Sequence, residues 1–295
     1  MFERIYGRYL VDTSKITEAQ FDEAFESTKS ARARLGTIAV AEQMLTQEQA
    51  DELNELQAAT DKRFGTLAVE KNYLTDEQVD RLLKKQGNKF LVFIQALIDG
   101  GVLTLDENED CLEDYREANG FTHSDMDDLV SGDVDREINV YLPSQKTISN
   151  SLCSIAMRTT IRLIDNNAYV KKAYITNEIS ADKGTLQKVC GDHTVHTFLI
   201  GNSNSLLGVA ETYAKEEFGE VDLDALDAVA EFSNVIDGLL ATELSKESID
   251  IDMEPPVFYP EGVKISGKDI CVFPIIVLDE EINLVVTVDS DIEIK

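Results

Sequence analysis

The sequence predicts an α+β chain, with an N-terminal helical repeat domain followed by a domain of antiparallel sheet with packed helices. Three features predict this. The first third recurs at a fixed period of 29 residues. Each period carries the residue order of a capped helix. From about residue 121 the pattern changes to short alternating segments, then two long helical stretches, then alternation again. The expected domains are therefore 1–120 and 121–295.

The period is visible in three sets of residues. Gly7, Gly36 and Gly65 are 29 apart. So are Ile16-Thr17, Leu45-Thr46, Leu74-Thr75 and Leu103-Thr104. Gln20, Gln49, Gln78 and Glu107 follow each Thr by three residues. Thr followed three residues later by Gln or Glu is a capping box: the hydroxyl accepts from a free N–H of the first turn, and the longer side chain reaches back. The apolar residue before each Thr can staple the helix entrance. Val79, Leu82 and Leu83 then fall at helical spacing, facing a core. The glycines allow close helix approach or a turn. One helix pair cannot bury both apolar faces, so neighbouring units should stack.

In the second part, Ile148 to Ile164 predicts an amphipathic helix. Strands are predicted over Val170–Ile175, Thr185–Cys190 and Thr194–Ile200. Gly201-Asn202-Ser203-Asn204-Ser205 marks a turn and a helix start. Helices are predicted for Leu206–Phe218 and Leu223–Ser245, the second with Leu226, Val229, Ala230, Ser233, Ile236, Asp237 and Leu240 in one band. Pro255-Pro256 closes that region, and Cys271–Leu278 with Ile282–Val288 forms a hairpin.

Composition excludes several classes. A net charge of −29 opposes binding of a phosphate backbone over the surface at large, so no nucleic-acid partner is expected. No apolar run reaches membrane-spanning length, and Met1-Phe2-Glu3-Arg4 lacks the order of a signal peptide, so a cytoplasmic protein without membrane insertion is expected. Cys111, Cys153, Cys190 and Cys271 are widely spaced and read as buried reduced thiols, with no metal site. Cys190 lies near His193 and His196, but in a strand-like segment with no third group nearby in sequence. The acidic stretch 106–137 reads as a solvated face or linker. Asp106, Asn108, Asp110 and Glu117 occupy positions 1, 3, 5 and 12 of a calcium-loop pattern, but Cys111 stands where the sharp turn requires Gly.

Two central periods carry more than helix grammar. Arg34-Leu35-Gly36 leads through Leu45 to Gln57, and Arg63-Phe64-Gly65 through Leu74 and Leu83 to Gln86, with spacer 58–62 between them. This resembles the MshEN-type N-terminal domain of type II secretion and pilus ATPases. The resemblance implies cyclic di-GMP as a ligand, held by Arg34, Leu35, Gly36, Gln57, Arg63, Phe64, Gly65 and Gln86. The chain departs from the pattern at Gln43 and Asn72, where Gly is expected, and at Ala50 and Asn54, where Leu is expected. The outer periods lack the Arg.

The segment Asp227-Ala228-Val229-Ala230-Glu231-Phe232-Ser233-Asn234-Val235-Ile236-Asp237-Gly238 resembles the signature helix of the CheX/CheC/FliY chemotaxis phosphatases, E-x-x-N with a small residue four positions after the Asn. The flanking pattern over about 145–290 agrees, and a single such helix is the CheX arrangement. A second copy, Glu280-Glu281-Ile282-Asn283, falls at the predicted hairpin, where residues i and i+3 point to opposite sides of a strand. On a helix they share a face.

The resemblance implies a hydrolase that removes phosphate from the aspartyl group of a CheY-like response regulator. Asn234 would orient the attacking water and Glu231 would dock the receiver's lysine. It implies no cofactor of its own, with Mg2+ on the partner receiver domain, and allows homodimerisation through a sheet edge. The repeats would sense or dock. The other reading is a non-catalytic adaptor that binds cyclic di-GMP or a protein.

Overall fold

The computed structural model describes residues 1–29, 33–60, 62–143 and 147–295. It divides into two compact units, Met1–Asp133 and Val134–Lys295.

The first unit is helical: α1 (Phe2–Asp12), α2 (Glu18–Ser27), α3 (Leu35–Ala41), α4 (Gln47–Thr60), α5 (Phe64–Glu70), α6 (Asp76–Lys84), α7 (Lys89–Asp99), α8 (Leu105–Asn119) and α9 (His123–Leu129). Thr17, Thr46, Thr75 and Thr104 each accept from the N–H three residues on, at 3.2–3.3 Å. Each receives in return: its own N–H donates to Gln20, Gln49, Gln78 or Glu107 at 2.8–2.9 Å. A fifth box, Thr122 with Asp125, lies off the 29-residue register. The preceding Ile16, Leu45, Leu74 and Leu103 are buried.

The turn before each cap is also the same. The N–H of Lys15, Met44, Tyr73 and Val102 donates to the carbonyl of Leu10, Ala39, Ala68 and Leu97, at 2.8–2.9 Å. This is the six-to-one bond of a Schellman turn, which needs a left-handed residue just past the helix. Ser14, Gln43, Asn72 and Gly101 fill that place, with φ of 57°, 53°, 58° and 63°. The sites where Gln43 and Asn72 replace glycine are thus the sites of positive φ.

The glycines at the other end of each period serve close packing. A Cβ on Gly7 would lie 2.4 Å from the Phe21 ring, and one on Gly65 2.6 Å from Val79 Cγ1. Around α1 the space fills with rings: Phe2, Tyr6, Tyr9, Phe90 and Tyr115 pack with centroids 5.0–6.3 Å apart. Burial pushes the Tyr6 phenol well above its ordinary range, and its hydroxyl bonds Asn108 Oδ1 at 3.2 Å.

The acidic stretch is helical rather than a linker. Asp106, Asn108, Asp110 and Glu117 lie along continuous α8, which cannot wrap an ion as a loop does. Asn108 and Cys111 face the core. The first unit extends to Asp133, beyond the 120/121 division, because α9 and the turn after it pack back on it. Leu129 is fully buried, and Asn88 Nδ2 donates to the Val130 carbonyl at 2.8 Å. The spacer residue Asp61 lies outside the described residues.

Among the described residues the second unit holds α10 (Val134–Tyr141), α11 (Ile148–Leu163), α12 (Ser203–Ala214), α13 (Leu223–Lys246) and a nine-stranded sheet with every pairing antiparallel. The strands are β1 (Tyr169–Val170), β2 (Tyr174–Ala181), β3 (Lys183–Gly191), β4 (Val195–Gly201), β5 (Ile251–Met253), β6 (Val257–Tyr259), β7 (Val263–Val277), β8 (Glu280–Val288) and β9 (Ile292–Ile294). Their order is β1-β7-β8-β4-β3-β5, with β2 and β9 also on β7 and β6 also on β3. The predicted strand Val170–Ile175 is two strands, because the Ala173 N–H leaves the sheet for the Tyr141 carbonyl at 2.9 Å.

The fold is the expected α+β, with helices packed on an antiparallel sheet in the second unit. One sheet face carries Val189, Val195, Leu199, Leu284 and Phe273 under the helices. The other curls over a second core of Leu186, Phe198, Ile200, Ile265, Ile270, Val272 and Val285, closed by Tyr259, Ile292 and Ile294. Among the described residues, no helix is long and apolar enough to cross a membrane.

Candidate functional site

Helix α13 begins at Asp222, whose carboxylate accepts from the Ala225 N–H at 2.9 Å. It buries Leu226, Val229, Phe232, Ile236 and Leu240. That stripe leaves one outward face, with Asp227, Glu231 and Leu239 exposed and Asn234, Val235 and Gly238 half-buried. Glu231 and Asn234 share it, as residues three apart on a helix do. Neither side chain makes a hydrogen bond or ion pair among the described residues. Tyr213 of α12 stands near Glu231; burial first, then the Glu231 charge, raises its phenol. Beyond Asn234 the surface is open: a Cβ on Gly238 would meet only Met253 Cε, at 4.0 Å. A half-buried amide with both its donor and its acceptor free, beside an exposed carboxylate, can orient a small molecule at a docked surface.

The second E-x-x-N is built differently. Glu280 opens strand β8 and accepts from Asn202 Nδ2 at 3.3 Å. Asn283 lies further along the strand, with its Oδ1 buried and unpartnered.

Cys190 has a neighbour that its sequence context hides. Its Sγ donates to Glu254 Oε1 at 3.0 Å, and Lys188 Nζ reaches the same oxygen at 2.9 Å. The carboxylate raises the thiol's pKa, away from a nucleophilic thiolate. His193 bonds Asp289 at 2.6 Å and His196 bonds Thr287 at 3.1 Å. All four cysteines are free; three are buried and Cys190 is partly exposed.

In the first unit, one cavity of about 420 Å3 is lined by Arg34, Leu35, Gly36, Gln57, Arg63, Phe64, Gly65 and Gln86. All eight residues of the repeat motif therefore converge, with Asn54, Thr66, Val79 and Leu83 completing the wall. The backbone of Arg34 and Arg63 is nearly identical, with φ/ψ of −70°/141° and −71°/141°. Their side chains differ. Arg34 Nη1 pairs with Asp99 Oδ1 at 3.3 Å, while the Arg63 guanidinium makes no hydrogen bond or ion pair among the described residues. Gln86 Nε2 donates to the Ala33 carbonyl at 3.0 Å; the Gln57 amide has no such bond among the described residues. Among those residues no group of three or more His, Cys, Asp or Glu is placed to hold a metal ion.

Residues 184–274 match the family model of the chemotaxis phosphatase CheX. The chain is also similar to solved structures of CheX from Desulfovibrio desulfuricans, at 15% identity over 48% of this chain and 98% of that one, with a TM-score of 0.43. It is similar to CheX from Vibrio vulnificus, at 16% identity over 48% and 98%, TM-score 0.41. A third is a CheX–CheY–BeF3–Mg2+ complex from Borrelia burgdorferi, at 18% identity over 50% and 99%, TM-score 0.42. The comparison with curated proteins finds no match. The family match lies within the second unit and contains the whole of α13, and over that segment the unit resembles CheX.

Proposed function

We propose that this chain dephosphorylates the aspartyl phosphate of a CheY-like receiver domain, through the outward face of α13. The observation that carries this is the pair Glu231 and Asn234, on one helix face without internal partners, inside the segment that matches the CheX family. The solved complex of a related CheX with CheY, BeF3 and Mg2+ supports the choice of partner.

The chemistry asks little of this chain. The receiver supplies the acyl phosphate and its Mg2+. Asn234, whose amide both donates and accepts, orients a water in line with the phosphorus. Glu231 pairs with the receiver's lysine and fixes the approach. Gly238, four residues beyond Asn234, leaves room for the partner's backbone. Holding a water in line lowers the entropy cost of attack, and misplacing it by about 1 Å costs roughly 10²-fold.

The test follows phosphate loss from a phosphorylated receiver. The wild-type chain should accelerate it, and Asn234→Ala should remove roughly 10²-fold of that rate while binding persists. No acceleration by the wild-type chain over spontaneous decay would sink the enzymatic reading.

A second reading concerns the first unit: its central periods form an MshEN-like module that binds cyclic di-GMP. Its support is the single cavity lined by all eight motif residues. Calorimetry of the full chain with cyclic di-GMP tests it. Binding lost in Arg63→Ala is expected; no heat at high micromolar ligand leaves a docking role for the repeats.

A further inference from the structure

The most anomalous group in the second unit is a carboxyl the proposed chemistry does not use. Asp237 lies on α13 one turn after Asn234 and is fully buried. Its Oδ1 accepts from Thr197 Oγ1 of β4 at 2.8 Å. Its Oδ2 is buried with no hydrogen-bond partner. Two more oxygens beneath the same helix share that condition, Thr185 Oγ1 and Gln187 Oε1 of β3. Gln187 stands directly opposite Thr197 in the β3–β4 register, so the three side chains occupy one side of the sheet.

A carboxylate there would be a buried anion held by one donor, with its second oxygen unpartnered. Gln187 cannot turn its amide to help, because its Nε2 is committed to the Glu254 and Lys188 carbonyls. A neutral acid removes the cost of a buried charge that only one hydrogen bond offsets.

The surrounding charges do not stabilise the anion. Val189, Met253 and Phe258 share the helix-facing side, while Lys188, His196 and Asp252 alternate to the other. Lys183, further along the helix-facing side of β3, has its ammonium on the Pro260 carbonyl at 2.7 Å. From α12 the titratable groups are Glu211 and Tyr213, both partly exposed; α11 brings Cys153, hydrogen-bonded to Cys271, and the exposed Arg158 and Arg162, of which Arg158 pairs with Asp135. On α13 itself, Asp227, Glu231 and Glu243 face solvent.

We propose that Asp237 is a positioning residue for the Glu231–Asn234 face: as a neutral acid it seats the middle of α13 on β3 and β4, and loss of its proton loosens that turn. The link to catalysis rests on the phosphatase reading; the seating does not. Burial raises the acid to about 7, against a smaller opposing pull from the Thr197 hydroxyl. The folded state therefore binds a proton that the unfolded state has released between the ordinary Asp value of 3.8 and about 7. Stability falls as pH rises through that window and levels off above it.

The experiment uses the full chain and its Asp237→Asn variant, whose amide keeps a donor without a charge. Thermal unfolding of the second unit is followed from pH 5.5 to 8.5. The wild type should lose roughly 4–8 °C relative to the variant over that range. Hydrogen exchange, corrected for its intrinsic pH dependence, should quicken at Asn234–Ala241 in the wild type above pH 7.5 and stay level in the variant. If the variant folds poorly, Thr197→Val serves: losing that donor should move the midpoint of the pH effect upward. Parallel melting curves, or exchange in this turn that ignores pH, would overturn the proposal. Retained pH effects with no receiver dephosphorylation at any pH would support the seating and remove only the enzymatic reading.

Discussion

The three glycines at 29-residue spacing invite the same substitution with three different outcomes. Gly7→Ala places a Cβ 2.4 and 2.5 Å from two Phe21 ring carbons and 2.9 Å from Phe93 Cζ. Both rings are at most 2% exposed and stack edge to face, so neither can retreat by the ångström required. Overpacking of this kind costs about 1–3 kcal/mol, from which the higher helix propensity of Ala returns up to about 1 kcal/mol. Gly65→Ala meets Val79 Cγ1 at 2.6 Å. Val79 is half-buried at the cavity wall and can rotate, a strain of about 0.5–1.5 kcal/mol that the propensity gain nearly offsets. Gly36→Ala meets the Phe64 ring at 3.1 Å, which a shift of a few tenths of an ångström into the cavity relieves. The expected order of destabilisation is Gly7, then Gly65, then Gly36, the last near neutral or stabilising. Urea unfolding of the full chain, with a probe in the first unit, measures it; two units make a single two-state fit unsafe, so the first transition is fitted alone. Equal costs at the three sites, or Gly36 as the worst, would refute the argument from ring contacts.

The left-handed turns offer gains. Gln43→Gly and Asn72→Gly should each stabilise the first unit, Gln43 more, because Asn tolerates positive φ better. The gain is roughly 0.5–1 kcal/mol after the added freedom of the unfolded glycine is subtracted, read by the same unfolding. Thr75→Ala should cost about 1 kcal/mol by freeing the Gln78 N–H, and Thr75→Ser should restore most of it. On the reading that the first unit binds cyclic di-GMP, Asp99→Asn should release Arg34 from its ion pair and tighten that binding severalfold by calorimetry, with no change in unfolding beyond a few tenths of a kcal/mol.

Much of the first unit was legible because its signals are local. A capping box spans three residues and a staple one more, so Thr17, Thr46, Thr75 and Thr104 announce their helices without tertiary context. The helices α11, α12 and α13 were legible through periodicity and terminal residues, and the face shared by Glu231 and Asn234 follows from helical geometry. Three-residue strands such as β5, β6 and β9 are too short for alternation to show, and exist because the long β3 and β7 leave unpaired edges for them.

Sequence by itself therefore determined the α+β class, the 29-residue period and the placing of Glu231 with Asn234, all properties of one turn or one helix. Tertiary structure decided the rest. It carried the first unit on to Asp133, because Val130 must satisfy Asn88 across 42 positions of chain. It drew two arginines and two glutamines 29 residues apart onto one cavity and tied only one arginine to an acid. It set Glu254 on Cys190 from 64 residues away. And it turned Asp237, in sequence one polar residue in an apolar band, into a buried acid, because only the packed sheet removes the water that would have kept it charged.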